Sequence, residues 1–341
     1  MIKEILTKCL NHETLSEQES EQMMLEMMTG HLKESQVASL LTLMSFRGES
    51  VEEITGFARA MRRLSTKLPN RVEGTIDTCG TGGDGLNTFN VSTATAIVLA
   101  SMNIPVAKHG NRSVSSKSGS ADVLELLGID IQATADSAAT SLKQKALCFL
   151  FAPNYHQSMR HVANVRKEIS FRTIFNILGP LTNPAEARYQ LLGVYDEATA
   201  IKMGRALIQL GSEHSLLVTG ADGLDECAIH GDTHVVEVSG KELITYRFSP
   251  EDVGLATGNL SDIQVNTPQE SAKLIMDVFN GTAPNAASDI VALNAGAAMY
   301  ARNDVKTIAE GVHHTKKAIE SKQTLRYLEL LTQSNRGRKH A

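Results

Sequence analysis

Thr75-Ile76-Asp77-Thr78-Cys79-Gly80-Thr81-Gly82-Gly83-Asp84-Gly85 is the stretch that decides the fold: a short run suited to a buried strand opens directly into a glycine-rich turn. The turn matches G-x-G-x-x-G formally. A dinucleotide site, however, needs its helix to open at once and an acidic residue about twenty positions later to bind ribose. Here Asn87-Thr88-Phe89-Asn90 intervenes, and neither Asp nor Glu occurs between Asp84 and Asp122. A nucleotide P-loop fails as well, because Leu86-Asn87 follows Gly85 where that loop requires Lys and Ser or Thr. What remains is a flexible nest of backbone N–H donors, followed by Asn90-Val91-Ser92-Thr93 at a helix start. Helix N-termini carry unpaired N–H groups and favour phosphate oxygens. Taken alone, Ser92 and Thr93 serve equally well as plain capping residues.

Outward from this stretch the chain alternates. Apolar runs suited to strands occur at 75–79, 104–107, 146–151, 190–195 and 215–219, with helical patterns at 93–102, 121–127, 156–165 and 198–210 between them. That order predicts βαβ units and a mostly parallel sheet, with ligands outside the carboxyl ends of its strands. Val235–Val238 and Leu243–Phe248, joined through Ser239-Gly240, read as a hairpin, and 268–279, 286–300 and 305–331 as helices. Residues 1–70 read as helices only. Ser16 to Glu19 and Ser50 to Glu53 have capping-box spacing, and Met23, Met24, Met27, Met28 and Val37, Leu40, Leu41, Met44 form apolar stripes. The fold class is therefore α/β: a small N-terminal helical domain, joined by helices around 160–185, and a larger α/β domain over 71–341 with a mostly parallel central sheet. The helical stripes need a partner surface, either a second copy of the chain or the large domain. No internal repeat or low-complexity tract occurs.

The net charge is -5, which argues against a general nucleic-acid binder. The basic run Arg336-Gly337-Arg338-Lys339-His340 reads as a solvated end. The 4 cysteines lack metal-ligand spacing, and no stretch is apolar enough to span a membrane. A reduced, cytoplasmic, soluble protein is expected. The N-glycosylation pattern at Asn90-Val91-Ser92 and Asn111-Arg112-Ser113 is set aside for want of a secretion signal.

Between Gly85 and Ala121 the chain carries Lys108, Arg112 and Lys117 and no carboxylate. Within this interval Lys108-His109-Gly110-Asn111-Arg112-Ser113-Val114-Ser115-Ser116 follows a second strand. Two strand ends, each delivering an anion-friendly loop, describe a polyphosphate site. Such a site needs a counter-cation. Asp222-Gly223-Leu224-Asp225-Glu226 follows a strand on the same sheet edge, and adjacent carboxylates ionise side by side only with a cation between them. Magnesium commonly uses one or two carboxylates, several waters and phosphate oxygens. An exposed acidic turn is the competing account. Among Arg160, Arg166 and Arg172, one can present a guanidinium to a carboxylate substrate while the others remain surface residues.

Together these segments resemble the anthranilate phosphoribosyltransferase family. The matching pieces are Asp77–Asp84, Thr88–Ala94, Lys108–Asp122, Val162–Glu168, Arg172–Pro184 and Asp222–Glu226, in family order, and the helical N-terminus is also similar. The resemblance implies a homodimer with the active site between a small helical and a larger α/β domain. It implies that Gly80, Gly83, Asp84, Thr88, Asn90, Val91, Ser92, Thr93, the loop Lys108, His109, Gly110, Asn111, Arg112, Ser113, Val114, Ser115 and Ser116, and Ser120 hold phosphoribosyl pyrophosphate. It implies that Ser92, Asp225 and Glu226 hold two magnesium ions, and that Gly80, Asn111 and Arg166 contact anthranilate, with His109, His156 and Pro180 along its path. Gln157-Ser158 and Ile169-Ser170-Phe171 depart from the family's commoner Pro-Ala and leucine-glycine-isoleucine. No residue stands out as a general base. Nor do these residues specify whether a glutamine amidotransferase or anthranilate synthase associates. Two rivals are a pyrimidine nucleoside phosphorylase of related fold, whose glycine-rich and lysine segments differ from those here, and a non-catalytic nucleic-acid-binding relative, which predicts a lost glycine loop and a basic surface.

Overall fold

The computed structural model describes residues 2–113 and 117–336. Val114, Ser115, Ser116 and the basic run beyond Arg336 lie outside the described residues. Four helices come first: α1 (Ile2–Leu10), α2 (Glu17–Met28), α3 (Glu34–Arg47) and α4 (Val51–Leu64). Both expected capping boxes form. The Ser16 N–H donates to Glu19 Oε2 at 3.0 Å while Glu19 N–H donates to Ser16 Oγ at 3.2 Å, and Ser50 and Glu53 repeat the pattern. The methionine stripe of α2 and the apolar stripe of α3 are buried.

Glu53 does more than cap. Its fully buried carboxylate takes both Nη2–Oε contacts of Arg47, at 2.6 and 2.7 Å, and the Leu15 N–H at 2.9 Å. One side chain thereby ties the loop before α2 to the ends of α3 and α4.

The sheet follows: β1 (Ile76–Gly80), β2 (Val106–Gly110), β3 (Leu147–Phe151), β4 (Tyr189–Gly193), β5 (His214–Gly220), β6 (Thr233–Ser239) and β7 (Glu242–Phe248). Their order is β3-β2-β1-β4-β5-β6-β7, parallel through β5 and antiparallel from β5 to β7, so the expected hairpin continues the sheet's edge. The remaining helices are α5 (Val91–Ser101), α6 (Ser120–Leu126), α7 (Ala135–Lys145), α8 (Ala152–Tyr155), α9 (Arg160–Ile169), α10 (Phe175–Leu178), α11 (Glu197–Gln209), α12 (Pro268–Asn280), α13 (Asn285–Ala301), α14 (Ile308–Glu320) and α15 (Gln323–Arg336).

Three expectations need correction. The helix read over 156–165 begins only at Arg160, because the chain first turns through Gln157–Met159. The single helix read over 305–331 is two, broken where Lys322 takes a left-handed φ of 62°. The helix α7 was not anticipated; its buried face is only Ala138, Ala139 and Leu142, too small a stripe to read.

The two faces of the sheet carry different cores. On one side Ile76, Val106, Leu191, Leu216 and Val218 pack with α5, α13 and α14. On the other, Cys79, Leu192, Leu217, Val236 and Val238 join α1–α4, α9, α10 and α11 in one continuous cluster. The helical bundle is thus fastened to the sheet. Arg62 donates to the Leu181 carbonyl at 2.7 Å and to the Leu210 carbonyl at 3.1 Å, and Lys202 to that of Glu49 at 2.8 Å.

Glu53→Ala leaves Arg47 buried without its partner, so urea unfolding should show a loss of about 3–5 kcal/mol. A loss below about 1 kcal/mol would mean that the bundle does not depend on this pair.

Candidate functional site

Strand alternation sends neighbouring residues to opposite faces, and this sorts the site. On β2, Lys108 faces α5 and His109 faces the helical bundle. On β1, Thr78 donates to the Ser92 carbonyl on the α5 side at 3.1 Å, while Asp77 turns the other way. Two half-sites therefore share the strand ends.

On the α5 side lie the acids. Asp225 and Glu226 follow β5 and fold back over the ends of β1 and β4. The close approach explains two glycines: a Cβ at Gly80 would sit 2.4 Å from Asp225 Oδ2, and one at Gly193 only 1.5 Å from the Asp225 carbonyl oxygen. Asp225 Oδ2 accepts from the Gly82 N–H at 2.7 Å, and Glu226 Oε1 accepts from the Ser92 N–H at the head of α5 at 3.0 Å. Burial, with Asp84 and Glu226 close by, holds the Asp225 carboxyl well above the ordinary carboxylate range. Burial pushes Glu226 up to about 7, against the pull of Lys108 and the Ser92 N–H. In the acidic turn Asp222 is thus the solvated acid, while Asp225 and Glu226 are half-buried and turned onto the strand ends. Asp84, expected among the residues that hold phosphoribosyl pyrophosphate, lies close to both acids and joins this acidic group.

Lys108 corrects the picture of a solvent-facing cationic loop. It is 2% exposed and donates inward to the Thr78 carbonyl and, at 3.1 Å, to Ser92 Oγ. Burial pulls its ammonium below the ordinary lysine range. Arg112 is also committed elsewhere: Asp122 and Glu125, just past the acid-free interval, pair with it at 2.7 and 2.6 Å. Asp122 takes the Ser113 N–H as well. Asn111 and Gly110 lie at the loop's base, where the Asn111 carbonyl accepts from Ser120 Oγ at 3.2 Å. Asn90 Oδ1 accepts from Ser118 at 2.5 Å and Ser271 at 2.9 Å. Thr88 forms an isolated bridge with Gln264, Val91 is buried, and the Thr93 hydroxyl is buried without a partner among the described residues.

Among the described residues no three His, Cys, Asp or Glu side chains are spaced to hold an ion by themselves. Magnesium asks for less: one or two hard carboxylates, with waters and phosphate oxygens completing the shell. Asp225 and Glu226, crowded with Asp84 and strained toward their neutral forms, fit such an ion as donors. Ser92 Oγ stands beside them, bonded to Lys108.

On the bundle side, His109 and His156 stack with ring centroids 5.2 Å apart. His109 Nδ1 meets the Gly179 carbonyl at 3.1 Å, and Nε2 of both rings is buried without a partner among the described residues. Burial lowers His109 to about 3 and His156 to about 4, so both stay neutral near pH 7. Pro180 is buried in the same segment, its carbonyl accepting from Gln190 at 2.9 Å. Arg166, on α9, lies with its guanidinium 4.9 Å from the centroid of the Phe175 ring; among the described residues no carboxylate pairs with it. Arg172 is not on that helix. It lies beyond the end of α9, donates to the Gly83 carbonyl and covers Tyr195.

The sequence reading passed over Asp77, which is fully buried and accepts from Asn183 Nδ2 at 2.7 Å and from the His109 N–H at 3.1 Å. An acid inside an otherwise apolar strand was the available signal. No local signal marked Gly193, whose reason lies 32 residues away, at Asp225 (225 − 193 = 32).

An α/β sheet with a helical bundle on one face, and a glycine loop bonded to an adjacent acid pair, is the architecture of one class of glycosyl transferases. Residues 72–325 match the glycosyl transferase family a/b domain, and residues 3–65 its helical bundle domain. Anthranilate phosphoribosyltransferase of Shouchella clausii is 69% identical over 341 residues, covering 100% of both chains. The crystal structure of the Thermus thermophilus enzyme of that name has a TM-score of 0.91 at 39% identity, over 97% of this chain and 99% of the other. The Saccharomyces cerevisiae enzyme in complex with PRPP and Mg has a TM-score of 0.88 at 28% identity, over 98% of each. The chain belongs to the anthranilate phosphoribosyltransferase family.

The buried imidazoles predict a pH effect on stability. Their folded pKa values lie below the ordinary value of about 6.5, so below that pH the unfolded chain takes up protons that the folded chain refuses. Stability should fall as pH drops from about 6.5 toward about 4, and His109→Asn with His156→Asn should flatten that slope in urea titrations. An unchanged slope would show that these rings are not its source.

Proposed function

We propose that this chain transfers the phosphoribosyl group of 5-phosphoribosyl 1-pyrophosphate to the amine of anthranilate, releasing pyrophosphate, as a step of tryptophan biosynthesis. The observation that carries the reading is the half-buried Asp225-Glu226 pair, bonded to the glycine loop at Gly82 and to the head of α5 at Ser92. A cation-dependent diphosphate site is what such a pair supports.

Gly80, Gly83, Asp84, Thr88, Asn90, Val91, Ser92, Thr93, the loop 108–116 and Ser120 surround the sugar pyrophosphate. Backbone N–H groups of the glycine loop take its oxygens. Ser92, Asp225 and Glu226 hold magnesium, two ions per subunit. Bound there, magnesium supplies neutralisation of the charge that grows on the leaving pyrophosphate. Lys108 keeps Ser92 and Glu226 in place from beneath. Arg166, with no carboxylate partner among the described residues, takes that of anthranilate, with Gly80, Asn111, His109, His156 and Pro180 around the ring. An anilinic amine is neutral near pH 7 and already nucleophilic, so alignment and electrostatics supply most of the acceleration. The active enzyme is a cytoplasmic homodimer, its contact on the outer side of the bundle, where Leu10 and Phe46 are 63% and 81% exposed. The active site lies between a helical unit of 1–70 with helices from 160–185 and the α/β unit of 71–341.

Mixing the protein with anthranilate, phosphoribosyl pyrophosphate and magnesium should extinguish anthranilate fluorescence. Persistent fluorescence, with phosphorolysis of thymidine or uridine instead, would replace this reading with the phosphorylase one. Arg166→Ala should raise the anthranilate KM roughly 10–100-fold and leave that of the pyrophosphate substrate nearly unmoved. An equal rise in both would remove Arg166 from the carboxylate role. Asp225→Asn with Glu226→Gln should lower turnover on the order of a hundredfold and shift its magnesium dependence. Wild-type magnesium titration curves from that variant would rule out the metal assignment.

A further inference from the structure

The glycine loop is held at two points. Gly82 and Gly83 take left-handed φ values of 68° and 78°, and residues without a Cβ leave such a loop many shapes of similar energy. On one side the Gly82 N–H is fixed to Asp225 Oδ2 at 2.7 Å. On the other, the carbonyl of Gly83 accepts from Arg172 Nη2. Across a trans peptide the C=O and the next N–H point in opposite directions. A Gly83 carbonyl turned toward Arg172 therefore turns the Asp84 N–H away from it, as one of the loop's available donors.

Arg172 is itself held on two sides. Its guanidinium lies 4.2 Å from the centroid of Tyr195, two residues beyond the end of β4, a stacking that fixes the plane of the fork. Its own carbonyl accepts from Ser45 Oγ of α3 at 2.9 Å. The chain between α9 and α10 thus links the helical bundle, the strand end and the loop.

We propose that Arg172 is a positioning residue that presets the glycine loop for the diphosphate, and that Ser45 of the helical bundle sets where Arg172 stands. The inference rests on the phosphoribosyl-transfer reading. It makes the pyrophosphate half-site depend on how the bundle is docked. Arg166, on the neighbouring α9, serves the other substrate.

The test is calorimetric binding of phosphoribosyl pyrophosphate with magnesium to the full chain, alongside steady-state kinetics and thermal melts. Arg172→Gln should weaken that binding about tenfold, the worth of one charge-assisted hydrogen bond. The anthranilate KM should stay within about twofold and Tm within about 2 °C, as for a surface change. Arg172→Lys should restore part of the affinity. Ser45→Ala should weaken binding about threefold alone and add nothing to Arg172→Gln, since it acts only through the arginine. Unchanged binding in Arg172→Gln, or a Ser45 effect that adds in full to it, overturns the proposal. So does a general loss in which Tm and both KM values move together. If the wild-type protein fails to bind phosphoribosyl pyrophosphate, the functional reading falls too; if it binds and Arg172→Gln binds equally well, only the role of Arg172 is lost.

Discussion

Everything at the site depends on one close approach: the Asp225-Glu226 turn lies directly on the ends of β1 and β4, with only hydrogen atoms at Gly80 and Gly193 to admit it. From there its carboxylates reach the Gly82 N–H and the Ser92 N–H. Two adjacent acids, each half-buried, are costly to ionise. The fold accepts that cost here because backbone donors and Lys108 offset part of it, and a divalent cation would offset the rest. The raised pKa values and the glycines are two consequences of the same packing.

A second constraint is the sheet's alternation. Because successive side chains face opposite sides, Lys108 and His109 meet different surroundings from adjacent positions. The α5 side gathers Lys108, Ser92 and the acids, a hydrophilic and charged pocket floor. The bundle side carries His109, His156, Pro180 and Arg166, where burial keeps the imidazoles neutral and the Arg166 guanidinium lies over the Phe175 ring. A ribose ring at the strand ends would have its leaving group on one side and its aromatic acceptor on the other. Asp77, buried beneath with Asn183, keeps the His109 backbone in register between them.

Much of this was legible in the chain. The two capping boxes, the methionine stripe and the strand–loop–helix order from 75 to 102 are local patterns, set by hydrogen bonds and periodicities spanning a few residues. The acid pair was recognisable by its adjacency. The electrostatic state of the cationic loop was not: the interval without acids ended at Asp122, and that very residue folds back onto Arg112 and the Ser113 N–H. That Lys108 is buried by strand pairing and donates inward to Thr78 and Ser92 was likewise not legible. The weakly amphipathic α7 and the break at Lys322 show the same limit, since neither carries a strong stripe or stop signal.

By itself the sequence determined the α/β class, the helical N-terminus, the glycine loop as something other than a dinucleotide site, and the acidic pair as a candidate cation site. These rest on residue spacing and on chemistry that neighbours in the chain already express. Tertiary structure alone decided that Gly193 must be glycine, that Asp84 belongs with the acids, that Arg172 reaches the glycine loop, and that His109 and His156 meet as neutral rings. Each of these joins residues from separate elements. Their energies come from burial and from contacts across the strand ends, which exist only once the sheet has assembled and the bundle has docked on it.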